Sequence, residues 1–181
     1  MLLQLENSLV LVIDIQQKLA PAIDQTKEVE QAAAWVLQVA LQLGVPVWGT
    51  EQYPIGLGPT LISIAELIPA KHMLHKMHFS ALKEAHIAAA IANTNRKQIV
   101  VIGTEAHVCV LQTVFDLLAA NYQVFVVVEA VGSRTADNKQ LALNRMQQQG
   151  AQIISKEMLA FEWLNRSGTD SFRHISKGWI V

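Results

Sequence analysis

The chain has 181 residues, 51% of them hydrophobic and 16% charged, with 14 Lys and Arg against 15 Asp and Glu. That length suits a single domain over residues 1–181 with a full core, and the hydrophobic content excludes a disordered chain. A formal charge of −1 removes the general electrostatic case for nucleic acid or an anionic membrane surface.

The first strand is predicted at residues 9–13, where Glu6 and Asp14 break the apolar stretch. Residues 1–17 hold no basic residue, so a signal peptide is not expected. No apolar run approaches the roughly 18 residues of a membrane span. A helical pattern follows over 26–43, and Gly44 stands where a left-handed helix end belongs. Further strands are predicted at 45–48, 72–75, 99–102, 124–128 and 152–154. Helices are predicted at 61–67, 81–93, 108–120, 138–149 and 156–164, with Gly150 closing the fifth of these six helices. Six strands separated by helices mean repeated βαβ units, hence an α/β fold with a parallel sheet covered on both faces. Runs such as Val10-Leu11-Val12-Ile13 and Ile99-Val100-Val101-Ile102 are continuous rather than alternating, as burial on both faces requires. Tyr53 to Pro59 is the one loop rich in Pro and Gly, and 165–181 reads as a polar linker and C-terminal tail.

In an open parallel sheet, ligands bind beyond the carboxyl ends of the strands, where the strand order reverses. Three residues there carry chemistry. Cys109 lies near the start of a helix, where free N–H groups favour a thiolate and lower the thiol pKa. Asp14 follows four apolar residues, and a carboxylate so placed is paired, solvated, a helix cap or a general base. Lys76 is either a solvated strand end or a cation that stabilises charge on its neighbours. Acid, base and nucleophile together favour a covalent enzyme. The single cysteine cannot form an intrachain disulfide, so a cytoplasmic protein is expected.

Asp14 in Val-Ile-Asp-Ile-Gln, Lys76 in Lys-Met-His-Phe-Ser, and Cys109 in Gly-Thr-Glu-Ala-His-Val-Cys-Val resemble the isochorismatase-like (cysteine hydrolase) superfamily. Thr50-Glu-Gln-Tyr-Pro and Gly56-Leu-Gly-Pro-Thr60 are similar to its isochorismatase domain-containing branch. The resemblance implies a three-layer α/β/α sandwich with a six-stranded Rossmann-like sheet in the order 3-2-1-4-5-6. It implies a catalytic triad of Asp14 as base, Lys76 as electrostatic partner and Cys109 as nucleophile. It further implies a cis peptide between Thr104 and Glu105, and an oxyanion hole from the backbone N–H groups of Glu105 and Cys109. The activity it implies is hydrolysis of a small-molecule amide, carbamoyl or related acyl bond through a Cys acyl-enzyme. Vinyl-ether hydrolysis and a non-catalytic scaffold on the same fold stay as alternatives. Nicotinamidases in this superfamily bind metal through an Asp-x-His pair and a further histidine. Thr50-Glu-Gln-Tyr53 has no histidine, so no metal and no cofactor are expected.

His72, His75 and His78 recur every third residue, which on a strand sends the first two to opposite faces. They read better as imidazoles at the rim of the site than as zinc ligands. Gln16, Gln52, Tyr53 and Phe79 are candidates for the wall of a substrate pocket. Asp14-Ile-Gln-Gln-Lys-Leu has no glycine, which speaks against a dinucleotide site. The aliphatic surplus and the terminal Trp179-Ile-Val181 predict a homo-oligomer, dimer or larger.

Overall fold

A run of branched apolar residues has nowhere to put its side chains except between two apolar layers, and the fold supplies both. The computed structural model describes residues 1–180. Six parallel strands, β1 (Ser8–Ile13), β2 (Val47–Gln52), β3 (Met73–Lys76), β4 (Gln98–Thr104), β5 (Gln123–Gly132) and β6 (Gln152–Ile154), form one sheet in the order β3-β2-β1-β4-β5-β6. This is the expected three-layer α/β architecture. The order reverses between β1 and β4, which pair from Ser8 against Gln98 to Ile13 against Gly103.

Alternate residues of each strand enter separate cores. Val10, Val12, Val100, Ile102, Phe125 and Val127 pack beneath α1 (Thr26–Gln42) and α7 (Lys156–Leu164). Leu9, Leu11, Ile13, Ile99, Val101, Val124 and Val126 pack beneath α4 (Ala85–Asn93), α5 (Leu111–Ala119) and α6 (Ala136–Gln148). Each fully buried aliphatic side chain contributes roughly 1.5–3 kcal/mol. Two of these helices, α6 and α7, begin where a hydroxyl side chain caps them: Thr135 Oγ1 accepts from Asn138 N at 3.2 Å and Ser155 Oγ from Met158 N at 3.1 Å.

The differences from the expected elements lie mostly at strand ends. β2 runs on to Gln52 and β5 to Gly132. Both extensions carry polar residues, which hydrophobic patterning does not register as strand. Two short helices, α2 (Pro54–Leu57) and α3 (Ile62–Ala65), occupy the segment after β2. The C-terminal segment is helical at Asp170–Ile175 and docks on α1. Ile175 is buried, Trp35 Nε1 donates to the Trp179 carbonyl at 2.9 Å, and Trp179 Nε1 donates to Gln38 at 3.1 Å. Of the expected tail, Val181 lies outside the described residues.

One glycine is required at the switch point. Gly103 has φ +144°, and a Cβ there would stand 2.1 Å from the Ile13 carbonyl oxygen. No side chain fits where β1 and β4 approach at the edge that carries the site.

Candidate active site

Asp14, Lys76 and Cys109 come together at the carboxyl edge, each delivered by the end of a different strand. Asp14 leaves β1 in the left-handed conformation, φ 50°, which for a residue other than glycine costs about 1–3 kcal/mol and has to be held by its surroundings. Thr104 Oγ1 grips its carbonyl at 2.5 Å, and its own N–H donates to the Thr50 carbonyl at 3.2 Å. Its Oδ1 accepts from Thr50 Oγ1 at 2.8 Å. Its Oδ2 stands 2.7 Å from Lys76 Nζ, an ion pair with both side chains fully buried.

Lys76 is the last residue of β3, and its ammonium is surrounded by acceptors. It donates to Gln52 Oε1 at 2.7 Å, to the Phe79 carbonyl at 2.9 Å and to the His78 carbonyl at 3.3 Å. An ion pair withdrawn from water survives only with such additional bonds. The loop that supplies those carbonyls is itself shaped by Glu84, whose Oε1 accepts from Met77 N at 2.8 Å and His78 N at 3.1 Å. These bonds and the His78 ring hold the Glu84 carboxyl down at about 2.

Cys109 sits in a π-helical turn, Ala106–Val110, that leads into α5. Its thiol is close enough to Asp14 and Lys76 for both to act on its acidity. The sequence led us to expect a lowered thiol pKa, and the structure reverses that. Burial pushes the thiol up to about 12, the Asp14 charge adds to the rise, and Lys76 offsets only part of it. Asp14 is also pushed above the usual carboxylate value by burial, against the pull of Lys76. Cys109 therefore rests as a thiol beside a carboxylate of enhanced basicity.

The expected cis bond between Thr104 and Glu105 is also corrected: among the described residues every peptide bond is trans. Glu105 turns the chain instead through a left-handed conformation, φ 57° and ψ 54°. A left-handed residue after a trans bond redirects the strand into the helical turn, so no cis bond is needed to make the corner.

The four pocket candidates divide in two. Gln16 is fully buried and spent on the scaffold: its Nε2 donates to the carbonyls of Gln52 at 3.0 Å and Gly58 at 2.7 Å, and its Oε1 accepts from Gln52 N at 2.8 Å. The Gln52 side chain is likewise committed, to Lys76 and, at 2.8 Å, to the Met77 carbonyl. Both amides are engaged by the scaffold: Gln16 Nε2 uses both of its N–H groups, while Gln52 Nε2 keeps one N–H beyond its bond to Met77. Tyr53 and Phe79 are exposed. Tyr53 lines an apolar cavity of about 660 Å³ with Ile55, Pro59, His75 and Met77.

The histidines separate. His72 stacks on Trp48 with ring centres 4.2 Å apart, His75 Nε2 meets Glu51 Oε2 at 3.2 Å, and His78 Nδ1 meets Glu84 at 2.9 Å. Among the described residues no three His, Cys, Asp or Glu side chains are grouped to hold a metal ion. Sequence patterning does not single out Thr50, Thr104 and Glu84, which support Asp14 and Lys76. A signal existed only for Thr50, which shares the parity of Gln52 on β2 and so its face.

Residues 8–158 match the family model described as Isochorismatase domain. A protein of Phytophthora sojae named secreted isochorismatase effector Isc1 is 37% identical over 177 residues, covering 94% of this chain and 83% of the relative. The mouse isochorismatase domain-containing protein 2A is 33% identical over 174 residues, covering 95% and 82%. A solved structure titled MAR1 ribonuclease from Caenorhabditis elegans superposes with a TM-score of 0.90 at 31% identity, covering 98% of this chain and 91% of that one.

Proposed function

We propose that this chain, which belongs to the isochorismatase family, is a cysteine hydrolase that opens a small-molecule amide, carbamoyl or related acyl bond. The observation that carries this reading is the fully buried Lys76–Asp14 pair at 2.7 Å, set against the one cysteine. A buried pair of this kind does little for stability beyond what apolar residues would do, whereas beside a thiol it supplies a base of raised basicity and a fixed positive charge.

In the proposed reaction Cys109 is not a preformed thiolate. As its sulfur attacks the substrate carbonyl carbon, the thiol proton passes to Asp14 and the carbonyl becomes an oxyanion. The N–H groups of Glu105 and Cys109, at the corner into the helical turn, receive that oxyanion. Asp14 then gives its proton to the leaving nitrogen or oxygen, the scissile bond breaks, and the thioester forms. Water attacks the thioester, Asp14 takes the water's proton and returns it to the sulfur as the C–S bond breaks, which releases the acid and restores the thiol. Lys76 keeps one charge throughout and orients Asp14 through the ion pair. Tyr53 and Phe79 supply the apolar side of the entrance. No cofactor takes part.

We do not extend the ribonuclease activity named for the worm protein to this chain, whose formal charge of −1 gives no overall attraction to a phosphate backbone. We also infer a homo-oligomer, supported by the exposed Ile55 and Met77 after β2 and β3, and a cytoplasmic location, supported by the single cysteine. No helix among the described residues is long and apolar enough to cross a membrane.

The test is acylation. Wild-type protein treated with 4-nitrophenyl acetate and digested is expected to carry an acetyl group on Cys109, read by mass spectrometry, and Cys109→Ala none. A panel of amides, carbamoyl compounds and esters then ranks the leaving groups. Turnover that survives Cys109→Ala would remove the nucleophile reading.

A further inference from the structure

Glu105 leaves a carboxylate in a place that the proposed chemistry does not use. Its side chain is 5% exposed, and its polar partners are Arg134 and His107, not the Asp14–Lys76 pair. Its Oε1 accepts from Arg134 Nε at 2.9 Å. Its Oε2 has no hydrogen bond and lies 3.6 Å from His107 Nε2. The other nitrogen of that ring, Nδ1, meets Ser133 Oγ at 3.0 Å. Ser133 is buried and anchored in turn, since its carbonyl accepts from Asp24 N at 2.9 Å. Two consecutive residues of the loop leaving β5, Ser133 and Arg134, thus grip two alternate residues of the turn leaving β4, Glu105 and His107.

Between the gripped residues the chain makes the corner on which acyl transfer depends. Ala106 is fully buried, and the Glu105 carbonyl takes the N–H groups of Val108 at 2.8 Å and Val110 at 3.4 Å. The left-handed Glu105 is therefore held by its carbonyl from one side and its carboxylate from the other. A left-handed backbone in a residue other than glycine persists only where it is over-determined. An ion pair half in water is a weak stabiliser, and a buried carboxylate is a poor choice if packing were its only purpose. What the pair does supply is direction, because a guanidinium fixes a carboxylate oxygen more narrowly than an apolar contact would.

We propose that Arg134 is a positioning residue for acyl transfer: through Glu105, and with Ser133 acting through His107, it sets the orientation of the backbone N–H groups that receive the oxyanion. The proposal rests on the reading of Cys109 as the nucleophile. It places specificity for the transition state in a loop that never touches the reacting atoms, and it explains why a chain that already has a complete triad also spends a buried carboxylate beside it.

Two reactions of the same sulfur separate this role from a structural one. Alkylation of Cys109 by iodoacetamide needs the proton removed but forms no oxyanion. Acetylation by 4-nitrophenyl acetate needs both. In Arg134→Gln, alkylation is expected to stay within about twofold of wild type while acetylation falls about 30- to 100-fold, the scale of a misaligned oxyanion donor. Glu105→Gln is expected to follow the same split, and Arg134→Lys to recover at least about a third of the lost acetylation on a logarithmic scale, since charge returns without the planar fork. Arg134 is mostly exposed, so its two variants carry the test even if Glu105→Gln does not fold. Equal slowing of both reactions, or acetylation unchanged in Arg134→Gln, overturns the proposal and leaves the nucleophile reading standing. A wild-type Cys109 that takes no acetyl group overturns the nucleophile reading itself, and this inference falls with it.

Discussion

The chain leaves β1 and β4 by the same device and puts it to opposite uses. Asp14 and Glu105 both follow a buried parallel strand, both are acidic, and both are left-handed, at φ 50° and 57°. Asp14 turns its carboxylate inward, to Lys76 and Thr50, and nothing of its side chain reaches water. Glu105 turns its carboxylate toward the neighbouring loop and a largely exposed Arg134. On the proposed mechanism the side chain is the working part at the first corner. At the second, on the proposed mechanism, the backbone is. An acidic residue at a strand end is thus ambiguous until its partner cation is known, because the partner decides which atoms face the substrate.

The largest effect expected at the first corner comes from the sulfur it serves. Cys109→Ala is expected to lower acyl turnover at least about a thousandfold, since no other nucleophile replaces it. The melting temperature should change little, because alanine suits a buried helical position. Steady-state rates and a thermal melt check both halves. Turnover that persists would move the chemistry away from this corner altogether.

Asp14→Asn comes next, with a loss of about 10²- to 10⁴-fold as the general base disappears. It should also destabilise the protein by about 3–5 kcal/mol, because Lys76 is left buried without its counter-charge. Denaturant unfolding reads that cost. Asp14→Asn combined with Lys76→Met is expected to regain much of the stability and none of the activity. Recovery of activity in the double variant would break the distinction between the two corners.

The pH dependence gives a smaller and sharper test. Burial raises the Asp14 carboxyl above 3.8, so the acid limb of kcat/KM should lie above the ordinary carboxylate range. The stability contribution has the opposite trend. Below about pH 3.8 Asp14 is protonated folded and unfolded, and its contribution is fully present. As pH rises toward the higher native value the unfolded chain ionises first, so that contribution is lost across the interval. Activity should rise with pH over a window in which this group favours folding less. An acid limb at or below 3.8 would remove the raised carboxyl from the mechanism.

The smallest effect expected is at Glu84, two steps from the sulfur. Glu84→Gln should loosen the amides of Met77 and His78, and with them the carbonyls around Lys76, at a cost of less than about tenfold in turnover. Because the Glu84 carboxyl is held down at about 2, its contribution is present above 4.5 and lost as pH falls toward 2. Wild type and Glu84→Gln should therefore converge in stability at the acid end, which unfolding curves at several pH values would check.

Much of this molecule was legible in the amino acids. Continuous apolar runs specified strands buried on both faces, and alternation with helical patterns specified a parallel sheet. Motifs at the strand ends singled out Asp14, Lys76 and Cys109. The inferences about strands and sheet hold because burial of apolar area dominates folding and leaves a period that can be read locally. The order β3-β2-β1-β4-β5-β6 followed from the resemblance, and its realisation brings β1 and β4 side by side. Only the tertiary structure decided how the polar residues were spent. Gln16 and Gln52 were drawn into hydrogen bonds of the scaffold, the corner at Thr104 and Glu105 became a left-handed trans turn, and the thiol pKa rose instead of falling. Each of these depends on desolvation and on partners from other strands, such as Thr50, Thr104 and Arg134, whose distance in space no local pattern encodes. A thiol at the start of a helix looks activated in isolation. Sealed beside a carboxylate, it is held protonated because the loss of water outweighs the nearby ammonium.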